Sequence, residues 1–105
     1  MGNNWKQAER RVAGLLGGKR LPVNGRGQID VDAGWCAVEV KSRKSIPAWL
    51  KKAVHQARTG ARPDQVPVVV VHETGSEYLD AVVVMSMRDF VDWYGSPSPD
   101  VLTGQ

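Results

Sequence analysis

Residues 29–32 alternate apolar and charged side chains, and after Ala33-Gly34 a largely apolar run leads into Glu39-Val40-Lys41, placing acids where a sequence should be apolar. Strand side chains alternate faces, so Ile29-Asp30-Val31-Asp32 places Asp30 and Asp32 together on one side. Trp35-Cys36-Ala37-Val38-Glu39-Val40 is rich in strand formers and follows Gly34. Glu39 and Lys41 share a face with Ala37, whereas Cys36, Val38 and Val40 point the other way, toward a core. A tight turn at Ala33-Gly34 makes the two runs a hairpin. In that register Asp30 pairs with Ala37, and Glu39 lies diagonally beside it on the same face. Carboxylates and a lysine then converge on a small area of sheet.

Like charges this close raise each other's pKa, and the arrangement costs stability unless a cation sits between them. Hard oxygen ligands favour Mg2+ or Mn2+, which bind through one or two carboxylates together with water and a substrate phosphate. Lys41 beside such an ion can orient an attacking water or stabilise transition-state charge. An exposed acidic hairpin with a Glu39–Lys41 pair on its wet face fits the same spacing, and the strand pattern leaves both readings open.

The first helix adds a third acid. Asn4 is placed to cap a helix that runs to about Leu16 and stops at Gly17-Gly18. Trp5, Ala8, Val12, Leu15 and Leu16 form its apolar stripe, and Glu9 falls inside that stripe. Arg10 and Arg11 lie off it. A carboxylate on a buried face requires a bound metal or a cationic partner, here Lys41 or an arginine.

Taken together, an inward Glu on a helix, a strand pair carrying Asp and then Glu-x-Lys, and a following helix resemble the PD-(D/E)xK nuclease superfamily. Within it the chain is most similar to small Holliday-junction resolvases and the related short nucleases of bacteriophages. The resemblance covers roughly residues 5 to 94. Its most specific stretch is Val38-Glu39-Val40-Lys41-Ser42-Arg43-Lys44-Ser45-Ile46-Pro47-Ala48-Trp49-Leu50, followed by Gln56-Ala57. Ile29 stands where the family has a proline before its Asp, a position that is not a ligand. Asp32 rivals Asp30, but Asp30 has the family-like spacing from Glu39. The resemblance implies that Asp30 and Glu39 bind Mg2+ or Mn2+ and that Lys41 serves the water or the phosphate. It also implies that Glu9 supports the metal, directly or through water. The implied activity is metal-dependent DNA hydrolysis, at Holliday junctions or other branched DNA in recombination, repair or phage DNA processing. A nuclease of flaps or linear DNA and a catalytically inactive DNA-binding module are the alternatives. Cutting both strands symmetrically needs two copies, so a homodimer is expected.

The remaining chain fits one α/β domain over residues 1–95, with a loose tail over 96–105. The expected architecture is restriction-endonuclease-like, a central mixed five-stranded sheet flanked by helices in the order α-β-β-β-α-β-β-α. Its elements are a helix over 4–16, strands near 20–24, 28–32 and 35–42, a helix over 47–60, strands over 67–72 and 79–85, and a helix over 86–94. Pro47 suits a first helical turn. Leu50, Ala53, Val54 and Ala57 form the inner face of that helix. Pro67-Val68-Val69-Val70-Val71 lacks alternation and reads as a strand covered on both faces. Ser86 is placed to cap the last helix, with Asp89 in its first turn.

The net charge of +3 hides a strong segregation. Lys6 to Arg26 holds six basic residues and one acid, and Glu39 to Arg62 holds seven and one. Glu73 to Asp100 reverses this, with six acids and one arginine. A basic region beside an acidic site suits a polyanion. Arg43 and Lys44 are the leading candidates for DNA phosphates, followed by Lys51, Lys52 and Arg58, with Arg10 and Arg26 as further contacts. Gln56, near Trp49 on its helix, either steadies the site or serves helix packing, and the sequence leaves both readings open. His55 and His72 lack zinc-like spacing, and lone Cys36 excludes an internal disulfide. No small-molecule cofactor motif is present. No export leader opens the chain and no aliphatic run is long enough to cross a bilayer, so a cytoplasmic location without membrane contact is expected, possibly for a phage-encoded protein.

Overall fold

The computed structural model describes residues 4–22 and 29–95. Expectations for Gly25-Arg26-Gly27, for the far end of the first strand and for the tail from Ser96 lie outside the described residues, as does the cap assigned to the side chain of Asn4. The described residues form two compact units, one running to Lys44 and including Tyr94 and Gly95, the other spanning Ser45–Trp93.

The first unit begins with α1, Asn4–Leu16, and continues into β1 (Lys19–Arg20), β2 (Val31–Asp32) and β3 (Ala37–Val38). Helix α1 ends where the glycines predict. Gly17 adopts φ 69°, which costs a glycine little. Gly18 N–H then donates to Ala13 O at 2.8 Å and Gly17 N–H to Gly14 O at 3.4 Å, closing the helix with a Schellman pattern. A side chain at Gly18 would put its Cβ 2.7 Å from both Ala33 Cα and Asp32 O, so the chain can pass the hairpin there only as glycine. The buried face of α1 is Glu9, Ala13 and Leu16. This rotates the expected stripe: Ala13 replaces Trp5, which remains 45% exposed, because a small residue lets the helix approach the sheet closely.

Strand order is β1-β2-β3, all antiparallel. Arg20 pairs with Val31 and Val31 with Val38, while Lys19 pairs with Asp32 and Asp32 with Ala37. Val31, with 0% exposure, is the centre of this layer. The hairpin closes two residues later than the sequence suggested, since Asp32 rather than Asp30 pairs with Ala37. Gly34 at φ 82° carries the turn, and its N–H donates to Asp32 Oδ1 at 2.8 Å. That side-chain acceptor fixes the reversal one step further along. A shift of two keeps every side chain on its predicted face.

The second unit contains α2 (Ala48–Gly60), β4 (Val69–Val71), a 3-10 turn (Tyr78–Asp80), β5 (Val82–Val84) and α3 (Met87–Tyr94). Pro47 sits just before α2, one position earlier than expected, and its carbonyl accepts from the N–H groups of Leu50 and Lys51 at 3.0 and 3.1 Å. Leu50, Ala53, Val54 and Ala57 are half-buried, as the helical period predicts, and α2 packs against β4. Strands β4 and β5 pair antiparallel, Val70 opposite Val83. Both of those valines are more than 60% exposed, so the valine runs are not covered on both faces. At the start of α3, Ser86 Oγ accepts the Asp89 N–H at 3.1 Å and donates to Asp89 Oδ2 at 2.8 Å, the predicted cap.

The chain is therefore mixed α/β, with three helices and two small antiparallel sheets of three and two strands. A five-stranded central sheet is not seen among the described residues. In the first unit the β2–β3 ladder ends at Asp30. Its Oδ2 accepts the Val40 N–H at 2.7 Å and its own N–H donates to Val38 O at 2.8 Å, so regular pairing stops before the acids. No helix among the described residues is long and apolar enough to cross a membrane.

Candidate active site

Past Val31–Val38 the ladder ends: the Asp30 N–H donates to Val38 O and Asp30 Oδ2 accepts the Val40 N–H, which holds Asp30 across the hairpin from the Val38–Val40 segment that carries Glu39. Glu39 follows the exposed phase of Ala37, and Lys41 Nζ lies 3.1 Å from Glu39 Oε2. Both side chains are more than half exposed, so water screens this pair. Asp30 is half-buried and one of its oxygens, Oδ2, is engaged by Val40. The donor set of Asp30 and Glu39 suits a hard dication by chemistry, and Asp30 Oδ2 is already oriented by a backbone donor.

Glu9 stands elsewhere. Its carboxylate is buried, and Arg20 Nε donates to Oε1 at 2.7 Å. Arg20 shares a sheet face with Val31 and Val38, whereas Glu39 and Lys41 belong to the opposite phase. Glu9 thus takes the arginine partner that its buried position demands. Among the described residues no three of His, Cys, Asp and Glu converge on one point. Arg20 is the residue that sequence reasoning missed. The signal was available: an acid within a buried stripe requires a cation, and the Gly17-Gly18 turn returns the chain to α1 with Lys19 and Arg20 next. Trp5 covers the guanidinium, with Arg20 Cζ 5.5 Å and Lys6 Nζ 5.2 Å from its ring centre.

Arg43 and Lys44 follow Lys41 and are exposed, with Arg43 Nη1 donating to Ser42 O at 3.0 Å. Arg10 is exposed on α1. In the second unit Lys51, Lys52 and Gln56 are exposed on α2. Arg58 is tied down instead, its Nε 2.7 Å from Asp89 Oδ2. The Ser86 hydroxyl and the Arg58 guanidinium hold the Asp89 carboxyl below the usual range, against the opposing effect of burial. Beside this pair a cleft of about 420 Å³ is lined by His55, Arg58, Arg62 and Trp93.

Asp32, the rival acid, is spent on the turn at Gly34. Burial pushes the Cys36 thiol up and the Asp32 charge adds to this, which favours the protonated thiol just before β3. His72 donates from Nε2 to Ser76 O at 2.9 Å and stacks on Tyr78 with ring centres 4.0 Å apart. Comparison with protein-family models, with curated proteins and with solved structures finds no match for this chain.

Proposed function

We propose that the chain is a metal-dependent DNA endonuclease of the PD-(D/E)xK type that cuts branched DNA. The observation that carries this reading is that the β2–β3 hairpin holds Asp30 on the Val40 N–H at 2.7 Å, next in sequence to Glu39, with Lys41 Nζ at 3.1 Å from Glu39. Asp30 and Glu39 would hold Mg2+ or Mn2+. The ion would supply charge stabilisation at the phosphoryl group and a more acidic water. Lys41 holds the water or a phosphate oxygen in line, and Arg43 and Lys44 bring the DNA backbone to the hairpin. Glu9 acts through Arg20, fixing α1 on the sheet that carries the acids. The finer architecture, a central five-stranded sheet in a single nuclease domain, belongs to the same reading. So do the cytoplasmic location and the homodimer.

A DNA-binding module without catalysis is the second reading. It is favoured by the pairing of Glu9 with Arg20 and of Glu39 with Lys41, which leaves the acids apart. Cleavage of a labelled four-way junction and a matched linear duplex, with Mg2+, Mn2+ or EDTA, separates the readings. The nuclease reading expects metal-dependent cutting of the junction, reduced about a hundredfold or more by Lys41→Ala. Cutting of both substrates would discard junction specificity. Tight binding without cutting, and no metal uptake by calorimetry that Glu39→Ala removes, would select the binding module.

A further inference from the structure

The 3-10 turn Tyr78–Asp80 presents Leu79 at 99% exposure and Tyr78 at 77%. Loops are usually polar at such points, and a large apolar pair held outward marks a contact surface. This knob is also held in shape. The Tyr78 ring stacks on His72, and Asp80 N–H donates to Glu77 O at 3.0 Å. Its rim is acidic: Glu73, Glu77 and Asp80 are exposed, and no Lys, Arg or His occurs from Glu73 to Met87.

The same unit carries the opposite surface. Ile46 is 56% exposed and Trp49 59%, at the start of α2. Lys51 and Lys52 flank them, and no acid occurs from Val40 to Pro63. Trp49 and Lys52 stand three apart on the helix and so share a face. One surface is acidic around exposed Tyr and Leu, the other basic around exposed Ile and Trp. A second copy of the chain supplies each with its complement.

We infer that the Tyr78–Leu79 knob of one copy docks on the Ile46–Trp49 face of α2 in a second copy. Two such contacts, related by a twofold axis, close a dimer. Trp49 and Leu79 supply the apolar centre and the charged rims set partner choice. This deepens the homodimer part of the proposed function, but it stands on the surface alone and its test uses neither DNA nor metal.

Sedimentation equilibrium of the full chain across the micromolar range is the test. Wild type should dimerise, and Leu79→Asp should weaken the dimer about tenfold or more. Leu79 is almost wholly exposed, so this variant should keep the wild-type circular dichroism spectrum and melting temperature. Lys52→Glu and Glu77→Lys should each weaken association, and the two together should restore it. A wild type that stays monomeric, a dimer indifferent to Leu79→Asp, or a charge swap that restores nothing would each overturn the inference. A monomer would remove the homodimer from the proposed function, while metal-dependent cleavage stands or falls on its own assay.

Discussion

In the first unit the side chains withdrawn from water are mainly apolar: Ala13, Leu16 and Val31, with Glu9 beside them. In the second unit the described residue buried to the same degree is Asp89, a carboxylate. Each unit seats its buried acid on an arginine, Glu9 on Arg20 and Asp89 on Arg58, both at 2.7 Å. The surroundings differ. Glu9 joins a helix to a strand beside a packed core, so its ion pair adds to apolar burial. Asp89 joins the cap of α3 to the end of α2, where hydrogen bonds do most of the fixing. An isolated two-stranded sheet is marginal in water, so β4 and β5 depend on their helix. The contrast separates a unit organised by packing from one organised by polar anchoring.

Truncation of the packed core should show the largest difference. Leu16, 2% exposed, should cost about 3 kcal/mol as Leu16→Ala in urea unfolding, whereas Val83→Ala should stay within about 0.5 kcal/mol. An equal cost at both positions would break the comparison. Next in size, Glu9→Ala should cost about 2 kcal/mol, below the full value for a buried pair because the Arg20 side chain keeps 22% exposure. Adding Arg20→Ala should cost little more, since the pair is then gone; a double-mutant cycle reads that coupling. Ser86→Ala should lose about 1 kcal/mol through the missing cap of α3.

The smallest effect is one of pH. The Asp89 carboxyl is held below its ordinary range, first by the Ser86 hydroxyl and then by Arg58. A depressed carboxyl binds its proton more readily in the unfolded chain. Its stabilisation is therefore complete above the usual carboxylate range and fades as pH falls through the lowered value. Asp89→Asn should flatten that acid limb of stability measured by circular dichroism. An unchanged limb would remove Asp89 as the anchor of the second unit.

Much of this arrangement is legible in the order of residues. Local periodicity specifies α1, α2 and α3, since each is decided by neighbours within a turn or two. The Gly17-Gly18 stop, the Ser86 cap and the alternation that sends Glu39 and Lys41 outward are equally local. The hairpin was legible except for its register, which the Asp32 carboxylate shifted by capturing Gly34 N–H. The partners of buried charges were legible only as a class. Glu9 demanded a cation, but choosing Arg20 over Lys41 required knowing which strand lies under α1. The valine runs misled because their covering depends on other elements, which no run of valines encodes.

The sequence by itself therefore determined the helices, the hairpin, the faces of its strands and the segregation of charge, all through short-range sterics and periodicity. Tertiary structure alone decided that Glu9 belongs to Arg20, Arg58 to Asp89, and Asp30 to the Val40 amide. Those pairings span ten residues or more along the chain, and only folding brings such distant groups within reach of a hydrogen bond.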